Sequence, residues 1–188
     1  MRKLKLQVQM SLDGYIAGPN GEMDFMTWEW DDELKNYVTE LTDSSDTILL
    51  GRKMAGGFIN HWTNATTNPD SPEYEFARKM VDYPKVVFSK TLTESEWNNT
   101  VVANGDLADE VNQLKNREGK DLIVYGGAGF DVSLVKAGLI DELHLFVNPA
   151  AIGKGLSIFE GLEANRNYKL AKAIPFECGI VVMHYEPK

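Results

Sequence analysis

LIVYGGAGFDVSLVKAGLIDELHLFV, residues 122–147, places two short apolar runs on either side of a stretch with helical spacing. LIVYG (122–126) and LHLFV (143–147) have the length and continuous apolarity of strands covered on both faces. Between them an amphipathic stretch containing Phe130, Leu134 and Val135 predicts a helix. A strand, a helix and a strand in so few residues form a crossover, which joins parallel strands. This unit makes the chain α/β, and the rest of the sequence can be read outward from it.

Upstream, Leu4, Leu6, Val8 and Met10 alternate with Lys3, Lys5, Gln7 and Gln9, the period of a first strand with one buried face. SLDGYIAGPNGEMD (11–24) packs turn formers around Ile16 and reads as a long loop. In DDELKNYVTELTD (31–43), Leu34, Tyr37, Val38 and Leu41 predict a helix with acids in its first turn. TILLG (47–51) and VVF (86–88) are further strands. SPEYEFARKM (71–80) predicts a helix capped by Ser71 with Pro72 at its first position, and DLADEVNQLKN (106–116) predicts another. Residues 56–71, rich in Asn, Thr and Gly, read as loop. YKLAKAI (168–174) and GIVVMHYE (179–186) flank PFEC and predict an antiparallel pair, so the sheet is mixed. No repeat or linker divides the chain, which is expected to be one domain over 1–188.

The 188 residues carry a net charge of −9, which opposes binding to nucleic acid or to an anionic membrane surface. Cys178 is alone, so no intrachain disulfide can form, and MRKLKLQVQM lacks the apolar core of a signal or anchor. A cytoplasmic protein is expected. A small anionic ligand stays compatible with this charge, because the cations around the site decide its affinity.

Gly126, Gly127 and Gly129 follow a strand and open a helix, so they form either a phosphate seat or a tight turn. Their spacing is neither the dinucleotide fingerprint nor a P-loop. LLGRKM (49–54) repeats the same logic and adds Arg52 and Lys53 at the turn, and VFSKTL (87–92) places Ser89 and Lys90 at another strand end. Three such turns at strand carboxyl ends suggest one ligand crevice. His61, His144 and His184 have no ligand spacing in the sequence, so no metal is expected.

In their order and spacing, SLDGYIAGPNG, LLGRKM, VFSKTL, VYGGAGF and DELHLFVNPAAIGKGLSIF, with the final strand pair, resemble the dihydrofolate reductase-like family. Within it the chain is most similar to the C-terminal reductase domain of riboflavin biosynthesis. The resemblance implies a three-layer fold whose mostly parallel eight-stranded sheet ends in an antiparallel pair. It also implies NADPH as cofactor, a small-molecule substrate and a homodimer. By the same resemblance, Gly51, Arg52, Lys53, Ser89 and Lys90 would hold the adenosine side of NADPH. Gly126, Gly127, Ala128, Gly129 and Phe130 would hold the pyrophosphate, with Ile16 and Ala17 at the nicotinamide ribose. Asn148, Pro149 and the Gly153–Gly155 turn would border the substrate. Two departures bear on that substrate. EMDFMTWEWDDEL (22–34) lacks the Pro-Trp of folate reductases, and Tyr15 stands where the riboflavin enzymes carry Lys.

Hydride transfer leaves an anion that a side chain or a water must protonate. Asp31, on the border of the first helix's apolar stripe, and Asp13, in the 11–24 loop, are the candidates, and Asp31 equally suits a plain helix-start acid. Trp28 and Trp30 are candidates for the substrate wall or for core. The expected activity is NADPH-dependent reduction of a small heterocycle or carbonyl. A phosphoribosylamino-uracil reductase and a nucleotide-binding protein without catalysis are the alternatives.

Overall fold

In the computed structural model, which describes residues 1–188, the elements follow the chain as β1 (Leu4–Met10), α1 (Asp32–Asp43), β2 (Ser45–Gly51), α2 (Arg52–Ala65), α3 (Tyr74–Asp82), β3 (Lys85–Phe88), β4 (Thr100–Ala103), α4 (Leu107–Lys115), β5 (Asp121–Val124), α5 (Ala128–Ala137), β6 (Glu142–Val147), β7 (Tyr168–Pro175) and β8 (Val181–Pro187). They build one 8-stranded sheet in the order β4-β3-β2-β5-β1-β6-β8-β7. The pairs from β4 through β6 are parallel, whereas β8 runs antiparallel to both β6 and β7. The expected mixed α/β sheet with its terminal antiparallel pair is present.

Each sheet face carries its own core. Leu4, Leu6, Val8 and Met10 of β1 pack with Val111 and Leu114 of α4 and Leu134 and Val135 of α5. On the other face Leu34, Val38 and Leu41 of α1, Ala55 and Phe58 of α2 and Met80 of α3 cover Ile48, Leu50, Ile123 and Phe146. The alternation in β1 predicted one buried face, but Lys5 and Gln7 are buried as well. Lys5 is tolerated there because its Nζ reaches Asp121 at 2.9 Å and Ser44 Oγ at 2.7 Å.

Two readings of the sequence are corrected, and one strand is added. Residues 56–65 are the body of α2 rather than loop. Ala55, Phe58 and Trp62 recur at helical spacing, and Phe58 rests against Tyr125 while Trp62 meets Phe76 edge-on. This aromatic packing outweighs Gly56 and Gly57, each unfavourable in a helix by about 1 kcal/mol. Helix α3 begins at Tyr74 behind Glu73, because Ser71 Oγ accepts from the Glu73 N–H at 3.3 Å in a separate turn before it. Strand β4, whose residues alternate between exposed and half-buried before Ala103, has too short an apolar run to stand out in the sequence.

After β1 the chain crosses to β2 through α1 on one face; after β5 it crosses to β6 through α5 on the other. Because β1 and β5 are neighbours, the diverging connections leave a crevice above their carboxyl ends. No helix is long and apolar enough to cross a membrane.

Candidate active site

Over the ends of β2 and β5 the two glycine turns touch. The Gly51 N–H donates to Gly126 O at 3.2 Å. A Cβ on Gly51 would lie 2.8 Å from Phe130 Cβ, and one on Gly127 would lie 3.2 Å from Gly51 Cα. Gly126 and Gly127 hold φ of 115° and 113°, which favour glycine. Phe130 stacks on Phe88 with ring centroids 4.8 Å apart, drawing the Ser89 turn against the other two. The turns that the sequence suggested belong together do meet.

Helices α2 and α5 both start here, behind Gly51 and Gly127, and neither has a side chain capping its first N–H groups. Uncapped N-termini over adjacent strands place amide donors and the positive ends of two helix dipoles side by side. Arg52 and Lys53 are exposed at the mouth of α2. Met54 supplies no hydroxyl, so beside these two cations the first turn offers only backbone N–H donors. Amide donors, helix dipoles and exposed cations gathered in this way make the turn a candidate seat for an anion.

Ser89 and Lys90 are less free than the sequence suggested. Ser89 is buried, and its Oγ accepts from the N–H groups of Thr91 (3.1 Å) and Leu92 (2.9 Å). Its hydroxyl shapes the turn instead of facing a ligand. Lys90 is exposed, with Nζ on Gly105 O at 2.5 Å, a contact that a phosphate can displace.

Across the crevice, loop 11–24 pairs with segment 149–158. The Ile16 N–H donates to Leu156 O and the Leu156 N–H to Ala17 O, each at 2.8 Å. Asp13 Oδ2 accepts from the Gly153 N–H at 2.7 Å, and its Oδ1 from Ser11 Oγ at 2.6 Å and the Ile152 N–H at 3.2 Å. The Ser11 hydroxyl and these amides hold its carboxyl below the usual range.

Asp31 is the N-cap of α1. Its Oδ1 accepts from the Leu34 N–H at 2.8 Å, while Oδ2 accepts from the Cys178 N–H at 3.0 Å and so ties α1 to the β7–β8 turn. The Leu34 amide, then that of Cys178, lowers its pKa. Both candidate acids are therefore carboxylates at neutral pH, and neither carries the proton expected of a donor.

Asn148, expected at the substrate, is fully buried. Its Nδ2 donates to Gln9 Oε1 at 2.8 Å and Phe146 O at 3.2 Å, while its Oδ1 accepts from the Thr27 N–H at 3.0 Å. It is a clamp between β1, β6 and the 22–30 segment. Replacing it with alanine should cost about 2–4 kcal/mol, because Gln9 and the Thr27 amide lose partners. The expected result is a Tm lower by roughly 5–15 °C and faster proteolytic cleavage near Trp28. Unchanged cleavage would remove the clamp role. Exposed Pro149 abuts Gly179 of the β7–β8 turn.

Trp30 stacks on Phe146 at 6.5 Å, and Trp28 stacks on Trp30 at 6.1 Å. Trp28 is 65% exposed at the rim, so the two rings form a stair from core to solvent. Sequence reasoning missed Asp131, which is 1% exposed behind the glycine turn with neither carboxyl oxygen hydrogen-bonded. Its place in the first turn of α5 resembles an ordinary dipole-matched acid, and only the packing of Met54 and Gly126 beside it reveals its burial. A hollow of about 530 Å³ beside Phe159, Leu162 and Arg166 lies toward the amino ends of the parallel strands, away from this chemistry.

Comparison with known proteins agrees with this geometry. The family model described as RibD C-terminal domain matches residues 2–182. An uncharacterised Bacillus subtilis protein, YyaP, is 32% identical over 184 residues, covering 98% of this chain and 94% of its own length. A putative riboflavin biosynthesis protein from Shewanella superposes with a TM-score of 0.72 at 23% identity, over 100% of this chain and 99% of that one. Dihydrofolate reductase from Enterococcus faecalis, complexed with NADP(H), superposes at 0.60 with 14% identity, over 99% of this chain and 96% of that one. With touching glycine turns, a diverging crevice and a matching family model over nearly its whole length, the chain belongs to the RibD C-terminal domain family.

Proposed function

We propose that the protein is an NADPH-dependent reductase acting on a small planar heterocycle or carbonyl compound. The observation that carries this reading is the pair of uncapped helix N-termini, α2 and α5, held together by the Gly51–Gly127 contact. Such a cradle suits a pyrophosphate. Arg52, Lys53 and Lys90 then supply the cations that favour a 2′-phosphate. NADP(H) in the Enterococcus neighbour is consistent with the same use of the fold.

The cofactor, when bound, supplies a hydride. Ile16 and Ala17, buried and hydrogen-bonded to Leu156, make a firm edge for the reactive end. Trp28 and Trp30 offer a flat apolar wall that orients a planar substrate. Since Asp13 and Asp31 are ionised and engaged, the proton comes from water, ordered by a carboxylate that accepts from it.

Trp fluorescence titrated with NADPH and NADH should give saturable quenching with NADPH the tighter ligand. Lys90→Ala should weaken NADPH about tenfold and NADH less than twofold, the loss of one charge-assisted contact. Equal, negligible quenching by both cofactors overturns the reading. Dihydropterins, aminopyrimidines and aldehydes should then be screened for loss of reduced-nicotinamide absorbance. Binding without turnover of any of them would favour a nucleotide-binding role, which the two engaged carboxylates would suit.

A further inference from the structure

On the α1 side of the sheet, away from the glycine turns, three ligating side chains converge. Glu142 and His144 lie two apart on β6, and His184 on β8 is the antiparallel partner of His144. The two imidazoles stack with centroids 4.3 Å apart and planes 17° apart. Glu142 Oε2 stands 3.1 Å from His144 Nε2 and 3.6 Å from His184 Nε2. Metal-ligand distances of about 2.0–2.1 Å at tetrahedral angles separate ligand atoms by roughly 3.3–3.4 Å, between these two values. We propose that Glu142, His144 and His184 form a binding site for a borderline divalent cation of the Zn²⁺ class.

The surroundings support it independently. His184 Nε2 is buried without a hydrogen-bond partner, and so is Oε1 of Gln7, which sits opposite His144 in the β1–β6 register. The orphaned His184 Nε2 beside the carboxylate, and an orphaned Gln7 Oε1 on the strand paired with His144, are polar atoms that a cation and its fourth ligand, Gln7 or a water, would satisfy. Tyr37 Oη lies 2.8 Å from His144 Nδ1, the outer contact that fixes an imidazole's orientation for a metal on its other nitrogen. Lys3 holds the remaining carboxylate oxygen, Oε1, at 2.6 Å. All three ligands stand on paired strands, so the backbone is already in place, and binding requires the stacked imidazoles to rotate until both ring planes meet at the cation. The His184 side chain is 15% exposed and gives an entry path.

Two imidazoles and one carboxylate select Zn²⁺, Co²⁺ or Ni²⁺ over Mg²⁺ and Ca²⁺, which prefer all-oxygen sites. Metal on His144 Nε2 requires the ring proton on Nδ1, which then donates to Tyr37 Oη, while Glu142 Oε2 exchanges its contact with Nε2 for one with the cation. Lys3 and Lys5, the latter 4.0 Å from Oε2, lower the affinity below that of an uncharged site. The cation would cross-tie β6 to β8 beneath α1. Its role is structural, and the inference does not depend on the reductase reading.

The test uses the full chain freed of metal by a chelator and titrated with Zn²⁺, followed by calorimetry and thermal unfolding, with Co²⁺ as a visible-absorption probe. One Zn²⁺ per chain, a Tm raised by several degrees and the visible bands of tetrahedral Co²⁺ are expected. His184→Gln should weaken binding at least tenfold. Tyr37→Phe, which leaves all three ligands in place, should also weaken it about tenfold. His61→Gln, on exposed α2, should leave it unchanged. Metal-free Tm values show whether each variant is folded, and metal affinity is compared among the folded ones. No Zn²⁺ binding by the wild type, or equal binding by wild type and His184→Gln, overturns the site.

Discussion

Gly127→Ala is expected to loosen NADPH at least about a hundredfold and to lower stability by roughly 2–4 kcal/mol. Two effects combine at this position. Gly127 holds φ 113° and ψ 94°, where a Cβ is strained whatever its neighbours. That Cβ would also lie 3.2 Å from Gly51 Cα and 3.4 Å from Gly51 N, which are backbone atoms with no rotamer to change. To make room, the end of β2 must separate from the start of α5, and the two helix N-termini then no longer aim at one phosphate group. Gly57→Ala is the matched control, since Gly57 is exposed, lies well inside α2 and would bring its new Cβ within 4 Å of nothing. It should change affinity less than threefold and raise the Tm slightly, as alanine does in a helix. Fluorescence titration and thermal unfolding of both variants decide it. Equal affinity losses in the two would show that glycine content, not the Gly51–Gly127 contact, matters. A stability loss in Gly127→Ala without an affinity loss would keep the packing argument and remove the phosphate seat.

Strands and amphipathic helices were legible because their period records which side is buried. Leu34 to Leu41 stand in the structure as the spacing predicted, and Leu4 to Met10 form the predicted strand, though its polar residues are buried as well. Helix α2 was not legible, because its polar and glycine-rich surface resembles a loop until Phe58 and Trp62 find their aromatic partners. The three site turns were readable as separate anion seats, and their mutual contact depended on strand order. Long-range hydrogen-bond engagement was beyond the sequence: nothing local to Asp31 or Asn148 announces that an amide of Cys178 or Thr27 occupies its oxygen. The Glu142–His144–His184 cluster escaped for a related reason. Its third member joins through an antiparallel register spanning the whole β7 hairpin, so no short motif spacing records it.

Asp131 should make the protein less stable as pH rises from mildly acidic to mildly alkaline, and Asp131→Asn should abolish much of that slope. Its side chain is 1% exposed, and burial pushes its carboxyl up to about 8. The α5 dipole favours the anion, but the stabilisation near a helix end is typically below about 1 kcal/mol and does not offset desolvation without a hydrogen-bond partner. An unfolded aspartate titrates near 3.9, so between about 4 and about 8 the folded state binds the extra proton. Stability therefore falls as pH climbs through that window and levels off above it. At about 1.4 kcal/mol per pH unit, discounted for water entering around the ionised group, the loss should be roughly 3–5 kcal/mol. Asparagine keeps the shape and stays neutral. At pH about 8.5 the variant should exceed the wild type by roughly 2–4 kcal/mol, a Tm higher by about 5–15 °C, while near pH 4.5 the two should nearly coincide. Thermal unfolding of both proteins across this range measures the difference, and parallel curves would mean that Asp131 does not hold its proton in the folded protein. Because the side chain lies directly behind Gly126, the same proton would keep negative charge away from the proposed phosphate seat. NADPH affinity should consequently fall with rising pH in the wild type more steeply than in Asp131→Asn.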